Sequence, residues 1–517
     1  MTSIVSALPI FLVSFLLLLP SAFVWLALRF LSRHLLSSNR ARRRALLIEL
    51  GYATDVDKRI VGFFHPYCNA GGGGERVLWT AIAAMQRTDS DIISIIYSGD
   101  TDATKDEILS KVKARFDISL DPRLVHFVYL QSRYLVEDST WPRFTLVGQS
   151  IGSMYLAWEA MSKLVPDLYI DTMGYAFTFH VVSHLGHVPI GAYVHYPTIS
   201  TDMLARVKSR QRWHTNTGAI SSSEILSRAK LLYYRFFMYY YALSLRTANF
   251  LMVNSSWTKN HVDSILRYSD DLLDLIHLFP PQVVIKLFTL QNAPVSARIV
   301  YPPCDTREIA KFPLTPRKRV ILSVAQFRPE KDHQAQLLAF HDLLKSHPEY
   351  AREGGDHVQL VLVGGSRNEG DARRVLELRD LARNLEIEPH VQFVVNAPYS
   401  VVLEWLSRAS IGLSTMVDEH FGINVVEFMA AGVIPVAHAS GGPLKDIIVP
   451  FNGEPTGFHA LTRQEFANAF QTVLSLSPEE EAAMRWRARA WAVQRFSEEE
   501  FERGWNQSGW RTYLASS

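Results

Sequence analysis

Cysteine is nearly absent from this sequence, and neither sign of charge dominates it. Cys68 and Cys304 are the only two cysteines in 517 residues, so a disulfide framework is excluded and a reducing compartment is expected for the bulk of the chain. The 53 basic and 51 acidic residues leave a net charge of +2, which gives no electrostatic argument for nucleic acid. Zinc-ligand spacings, a Ser-His-Asp signature and nucleic-acid motifs are also missing.

Charge is missing from the N-terminus as well. No charged residue occurs from Ile4 to Leu28, a stretch long enough to cross the roughly 30 Å core of a bilayer. Arginines follow this stretch from Arg29 to Arg44, whereas a cleaved signal peptide carries its basic residues first. We therefore expect an uncleaved single-pass anchor, with the rest of the chain facing the cytosol by the positive-inside rule. A cleaved signal peptide is the alternative.

Short apolar runs alternate with helix-length segments along the rest of the chain. This pattern predicts an α/β protein with parallel sheets covered on both faces, and the length predicts two domains. The runs in the first half are Ile60–Phe64, Ile92–Tyr97, Val125–Leu130, Leu168–Ile170 and Ile190–Val194. The runs in the second half are Val320–Val324, Gln359–Val363, Val391–Val395, Ile411–Ser414 and Val433–Val436.

Proline-rich sequence separates the two halves and helps to set the domain boundaries. The predicted segments are an anchor with a basic collar at 1–44, a first Rossmann-like domain at 45–302, a linker at 303–318, a second Rossmann-like domain at 319–490, and a C-terminal helix at 491–517 that packs back.

A hydrophobic insertion is expected near 228–295. Its uncharged piece between Arg235 and Arg246 is too short to span a membrane. Arg228–Val253 therefore fits either a buried helix or an interfacial helix among lipid headgroups, and residues 265–295 share that ambiguity.

Two carboxylates frame a predicted strand–loop–helix junction in the second half. Glu419 and Glu427 lie on either side of a Phe421-Gly422 turn that opens a short helix, and Gly432 ends it. On a single helix the two acids would be about 12 Å apart, more than the roughly 5–9.5 Å that a glycosidase pair needs. We interpret Glu419 as a contact to a reacting sugar and Glu427 as a ribose contact, with the Phe421 and Gly422 amides directed at phosphate. Surface acids at a helix start are the alternative.

Two cations follow the first strand of the second half, and a glycine run follows the first strand of the first half. Arg328 and Lys331 suit a pyrophosphate, since arginine binds bidentately and lysine acts as a point charge; a solvated loop is the alternative. Gly71–Gly74 lets backbone N–H groups approach a diphosphate or a bound sugar, although it matches no Walker motif and also fits a plain turn. His195 ends a strand and could bond a substrate hydroxyl or be structural. Asp100-Thr101-Asp102 has a metal-site spacing but is interpreted as a loop.

These motifs together resemble the retaining GT-B glycosyltransferases. The resemblance covers residues 58–500 and rests on Arg328-x-x-Lys331, Glu419-x7-Glu427, the glycine-rich first loop and His195. Within that family, Asn69–Trp79 and Val194–Ser200 are similar to a branch of endoplasmic-reticulum enzymes. That branch uses GDP-mannose to extend a dolichol-linked oligosaccharide with α-1,2 linkages on the cytosolic face.

The resemblance implies a GT-B fold, with a nucleotide sugar in the cleft between an N-terminal acceptor domain and a C-terminal donor-binding domain. It also implies a role for each matching residue. Arg328 and Lys331 would neutralise the leaving diphosphate in place of a metal, Glu419 would contact the mannose, and Glu427 the ribose. The loop at Gly72, Gly73 and Gly74 would close over the donor phosphates, and His195 would touch the mannose from the other domain.

The implied substrates are GDP-mannose and a dolichol-diphosphate-linked oligosaccharide, with no metal or other cofactor. The implied partners are the endoplasmic-reticulum membrane and other mannosyltransferases. Retention without an obvious nucleophile favours attack by the acceptor hydroxyl on the face that the diphosphate leaves. A transferase for another nucleotide sugar and an inactive membrane scaffold are the alternatives.

Overall fold

The computed structural model describes residues 2–52, 58–200, 203, 224–276, 296–352, 354 and 356–515. For residues 2–21, 24, 224–227, 229 and 275–276 this description is limited to the backbone. The chain divides into two compact units. The first unit comprises residues 1–253, 258–300 and 505–517, and the second comprises residues 254–257 and 301–504.

The first unit is built on a parallel sheet with the strand order β3-β2-β1-β4-β5-β6-β7. Its strands are β1 Arg59–Phe64, β2 Ile92–Ser98, β3 Val125–Tyr129, β4 Leu168–Asp171, β5 Ile190–Val194, β6 Phe250–Val253 and β7 Arg298–Ile299. Its helices are α1 Thr2–Glu49, α2 Gly73–Thr88, α3 Lys105–Phe116, α4 Thr145–Lys163, α5 Thr178–Val181, α6 Glu224–Leu245, α7 Ser256–Leu266 (whose first two residues belong to the second unit) and α8 Asp271–Ile276. The C-terminal α17 Trp510–Ala515 also belongs to it.

The second unit repeats this plan with the strand order β10-β9-β8-β11-β12-β13, again all parallel. Its strands are β8 Lys318–Val324, β9 Gln359–Gly364, β10 Val391–Val395, β11 Ala409–Ser414, β12 Ile434–His438 and β13 Phe458–Ala460. Its helices are α9 Thr306–Ile309, α10 His333–Ser346, α11 Glu369–Asn384, α12 Tyr399–Arg408, α13 Ile423–Ala431, α14 Arg463–Leu474, α15 Pro478–Phe496 and α16 Glu498–Asn506, whose last residues pass into the first unit.

Both parallel sheets agree with the prediction, because near-continuous apolar runs are what strands buried on both faces require. In each sheet the strand order reverses once, between β1 and β4 in the first and between β8 and β11 in the second. Ligands of doubly wound sheets bind at the carboxyl ends of the strands at such a reversal. The two reversal points are therefore where functional side chains are expected.

The C-terminal part of α1 is packed into the first unit. Leu35, Leu46 and Leu47 belong to its hydrophobic core. Arg43, one of the predicted collar arginines, forms a bidentate pair with Asp167 at 2.5 and 3.0 Å. Among the described residues, no helix combines the length and the apolar character needed to cross a bilayer. For most of the predicted span Ile4–Leu28 the structure describes the backbone but not the side chains.

The stretch Arg228–Val253 contains α6 and then β6, a strand that the sequence analysis does not predict. One face of α6 enters the core through buried residues such as Phe237 and Tyr241, while Leu232 and Phe236 are exposed. The buried-helix interpretation is confirmed for the core-facing residues, and the interfacial interpretation stays a prediction for the exposed ones. Residues 277–295, the rest of the expected insertion, lie outside the described part of the chain.

Candidate functional site

The loop after β8 carries the predicted cations of the second unit. A single 3-10 turn, Pro329–Lys331, leads into α10. The Thr415 hydroxyl, just beyond β11, donates to the carbonyls of Lys331 and Asp332 at 2.9 and 3.1 Å. The loop is thus fastened to the neighbouring strand at the point where the strand order reverses.

Lys331 and Glu419 meet at this reversal. The Lys331 ammonium lies 2.5 Å from the Glu419 carboxylate and 3.0 Å from the Met416 sulfur. Only 22% of the lysine side chain and 13% of the glutamate side chain are exposed. Arg328 is more exposed, and its guanidinium lies 3.8 Å from Glu330. One predicted cation and one predicted acid therefore form a largely buried pair beside a second, accessible cation.

A loop after β12 holds Glu419 in place from the other side. Gly442 donates its N–H to the Glu419 carbonyl at 2.8 Å, and the Ser440 hydroxyl accepts the Asp418 N–H at 2.7 Å. Gly441 has φ +62°, and a Cβ there would lie 2.2 Å from the Glu419 carbonyl oxygen. Only glycine fits at this position. This loop was not among the predicted site elements, although its small-residue run after a strand is a signal of close backbone approach.

The predicted short helix is α13, and its glycine caps are confirmed. Gly422 is the N-cap at φ 111°, and Gly432 is the C-cap at φ 77°. Phe421 is buried in the core, so only its backbone can serve a ligand at this helix start. Glu427 is half-buried in the second turn of α13, whereas Glu419 lies before the helix. The distance expected for two acids on one helix therefore does not apply to Glu419 and Glu427.

A buried histidine lies behind the cationic loop. His333 begins α10, and its ring stacks on Phe327 with centroids 4.9 Å apart. Burial, with Lys331 and Arg374 nearby, lowers the pKa of His333 to about 4. The ring is neutral at physiological pH and adds no charge to the cationic loop. The sequence analysis did not select this residue.

In the first unit the glycine run is the start of a helix. The predicted glycine loop Gly71–Gly74 is shorter than expected, because Gly72 is the N-cap and α2 begins at Gly73. The Glu75 carboxylate accepts the Gly72 N–H at 2.7 Å, which stabilises this early start as an acidic side chain does at a helix N-terminus. Gly73 and Gly74 thus form a first helical turn without side chains, where a ligand can approach the backbone closely.

His195 lies beside this turn. Its Nε2 lies 3.2 Å from the Thr172 carbonyl oxygen and 3.6 Å from where a Cβ on Gly74 would stand. A carbonyl only accepts, so Nε2 is the protonated ring nitrogen. Burial lowers the pKa of His195 to about 4, with the Thr172 carbonyl opposing the shift. The structure therefore brings the predicted histidine and the predicted glycine turn together.

Asp100 has a structural role, in agreement with its interpretation as part of a loop. It forms an ion pair with Arg133 and accepts the Asn69 N–H at 3.0 Å, which fastens the loop before the glycine run. Within the described ranges, no group of three or more His, Cys, Asp or Glu side chains is placed to hold a metal ion.

Comparison with known proteins now identifies the family. The family described as "ALG11 mannosyltransferase N-terminus" matches residues 58–266, and "Glycosyl transferases group 1" matches residues 305–491. A Mus musculus protein named GDP-Man:Man(3)GlcNAc(2)-PP-Dol alpha-1,2-mannosyltransferase is 45% identical over 86% of this chain and 85% of its own length. A Neurospora crassa protein of the same name is 46% identical over 86% of this chain and 78% of its own. The chain belongs to this mannosyltransferase family.

Solved structures agree with the fold of this mannosyltransferase family member. An alpha,alpha-trehalose 6-phosphate synthase from Burkholderia multivorans gives a TM-score of 0.60 at 13% identity, over 89% of this chain and 100% of its own. A sucrose-phosphate synthase from Thermosynechococcus elongatus gives 0.54 at 16%, with the same coverage. These likenesses support a GT-B-like fold of two Rossmann-like units.

Of the predicted site residues, the structure therefore brings together Lys331 with Glu419 in one unit and His195 with Gly74 in the other.

Proposed function

We propose that this chain transfers mannose from GDP-mannose to a dolichol-diphosphate-linked oligosaccharide and forms an α-1,2 linkage. Its relatives carry a name that states this reaction, and they match most of its length. The observation that carries the proposal is the Lys331–Glu419 pair at the strand reversal of the second sheet. A largely buried cation can stabilise the diphosphate that leaves an activated sugar, and a neighbouring carboxylate can stabilise the positive charge that develops on the sugar.

The departing diphosphate gains negative charge in the transition state. Lys331 and the more accessible Arg328 would bind its oxygens, and charge-assisted hydrogen bonds of this kind are stronger in a largely dry site. Glu419 pairs with Lys331 before the donor arrives and would then face the mannose, where positive charge develops. Glu427, one turn into α13, would accept hydrogen bonds from the ribose hydroxyls. The Phe421 and Gly422 amides at the N-terminus of α13 would donate hydrogen bonds to phosphate.

We further propose that the reaction retains the anomeric configuration and needs no metal. The two cations after β8 supply the charge neutralisation that a metal provides in other transferases. The one-bond C1–H1 coupling of the transferred mannose reports the configuration. Activity after dialysis against a chelator tests the metal, and loss of activity that Mn²⁺ or Mg²⁺ restores would contradict this part of the proposal.

Attachment to the cytosolic face of the endoplasmic-reticulum membrane is a proposal of the same kind. Phe23 and Phe30 on α1 are 73% and 70% exposed, and Phe144 at the start of α4 is 72% exposed. The exposed part of α1 continues the uncharged N-terminal run, so a bilayer is the occupant that would cover it. Flotation with phosphatidylcholine vesicles tests this, and a full-length chain that does not float with the vesicles would contradict it. The pairing with other mannosyltransferases stays a prediction.

The decisive assay for the reaction uses purified full-length chain with a lipid-diphosphate oligosaccharide and a panel of labelled nucleotide sugars. We expect transfer from GDP-mannose alone, inhibited by GDP and not by UDP. Lys331→Met should abolish most of the transfer. Lys311→Met is the matched control, because Lys311 forms an exposed pair with Glu308 at 2.6 Å in the same unit. Transfer from a UDP-sugar, or no transfer by the parent chain, would overturn the proposed function.

A further inference from the structure

A second histidine, His65, lies at the strand reversal of the first sheet. β1 and β4 are neighbours there, with Phe64 and Asp171 in register. His65 follows β1 directly, and Thr172 follows β4 directly. Both residues are completely buried. They therefore lie beneath the point where doubly wound sheets bind their ligands.

His65 makes one side-chain hydrogen bond and leaves one nitrogen without a partner. Its Nδ1 lies 2.8 Å from the Thr172 hydroxyl oxygen, while its Nε2 has no hydrogen-bond partner among the described residues. Burial, with His195 nearby, lowers the pKa of His65 to about 3, so the ring is neutral. A buried polar nitrogen without a partner lowers stability, and a phenylalanine of similar volume would avoid that cost. The histidine at this position is thus better explained by its bond to Thr172 than by stability.

Thr172 forms hydrogen bonds with both His65 and His195, each through a different atom of Thr172. Its N–H donates to the Phe64 carbonyl at 3.3 Å, and its hydroxyl meets His65. Its carbonyl accepts the Nε2–H of His195 at 3.2 Å. The position of Thr172 therefore sets both the orientation of the His195 ring and the nitrogen that carries its proton, which leaves Nδ1 with the lone pair.

We propose that His65 is a positioning residue for mannose transfer, acting on His195 through Thr172. This inference rests on the proposed function and on the contact with the transferred mannose that the family resemblance implies for His195. His65 itself has no exposed surface and does not touch substrate. Its contribution is to keep the Thr172 carbonyl where it holds the His195 ring still, and orientation of this kind is expressed in kcat more than in KM.

The test is a double-mutant cycle on the full-length chain. His65→Phe should lower kcat by about 3- to 10-fold, the loss expected for one neutral hydrogen bond, and leave the KM for GDP-mannose within about 2-fold. In a His195→Ala background the same change should have no further effect, because its target is gone. His180→Phe is the matched control: His180 bonds the Ser244 hydroxyl at 2.8 Å in the same unit but lies on α5 rather than directly after a strand. It should leave kcat unchanged.

A second pair of variants keeps the test valid if His65→Phe folds poorly in a thermal melt. Thr172→Val removes the hydroxyl and should reproduce the kcat loss, whereas Thr172→Ser keeps it and should restore most of the rate. The inference is overturned if the His65→Phe loss persists in the His195→Ala background, if His180→Phe lowers kcat as much, or if Thr172→Ser behaves like Thr172→Val. Failure of the proposed function would give a different result from failure of this inference, because the unaltered chain would then transfer no mannose.

Discussion

Replacing Lys331 by methionine removes the cation from the buried pair while keeping the length and apolar character of the side chain. Glu419, with only 13% of its side chain exposed, is then left without its ammonium partner. Breaking a pair of this kind should destabilise the second unit by about 1–3 kcal/mol, less than for a fully buried pair because both groups keep some contact with water. GDP should also lose one charge-assisted hydrogen bond worth about 1.5–3 kcal/mol, a roughly 10- to 150-fold weaker affinity.

The companion variants separate these two effects. Glu419→Gln should not weaken GDP binding, because Lys331 is no longer held by a competing carboxylate and GDP carries no mannose for Glu419 to contact. Lys331→Met/Glu419→Gln should recover the lost stability, since no charge is left unpaired, but not the affinity. Lys311→Met, from an exposed pair, should change neither.

Titration calorimetry with GDP and denaturant unfolding measure the two quantities on the same samples. The binding loss should shrink as salt is raised, because it is electrostatic. A Lys331→Met variant that binds GDP as tightly as the parent would refute the reasoning. A double variant that regains GDP affinity would refute it equally, since the lysine would then act only on the fold.

Three further outcomes follow from single residues. Arg485→Met should lower the free energy of unfolding by about 3–5 kcal/mol, because the fully buried guanidinium pairs with Glu481 and donates to the Ser410 and Gly432 carbonyls. Denaturant unfolding measures this, with Arg307→Met from an exposed pair as a control expected below about 1 kcal/mol. Gly441→Ala should reduce transfer with little change in overall fold by circular dichroism, since its Cβ would displace the Glu419 backbone; full activity would contradict the proposed close approach. Burial raises the pKa of Asp171 from 3.8 to about 7, so the folded state binds the proton more tightly and the parent chain loses stability as pH rises between these two values. The stability of Asp171→Asn relative to the parent should therefore rise by up to about 1.4 kcal/mol per pH unit in this range. A stability difference that does not change with pH would contradict the shift.

The sheets and the glycine caps could be predicted because their signals are local. Runs such as Ile60–Phe64 are apolar throughout, as strands buried on both faces require. Gly422 and Gly432 mark the ends of α13 in the sequence itself. β6 was missed because its four residues follow the aromatic α6 without a clear boundary. The glycine loop before α2 was predicted two residues too long because glycines favour loops, and the capping by Glu75 outweighs that preference here.

The contacts of the site were harder to predict because they join distant parts of the chain. Lys331 and Glu419 are separated by 88 positions, and no local pattern indicates that they bind each other before any ligand does. The interpretation of each as a donor contact therefore stays a prediction, with the added condition that the diphosphate competes for Lys331. His65 and Thr172 gave no signal at all, because their importance arises from the order of β1 and β4 in the sheet.

Mannose transfer by Glu419→Gln tests the central claim most directly. The chain is incubated with labelled GDP-mannose and a lipid-diphosphate oligosaccharide, and the product is digested with an α-1,2-specific mannosidase. We predict that the parent chain forms a product from which the mannosidase releases the label. The variant should bind GDP normally yet transfer at least about 100-fold more slowly, through loss of an interaction made at the reacting sugar. Undiminished transfer by the variant, or a labelled product that resists the mannosidase, would contradict the account.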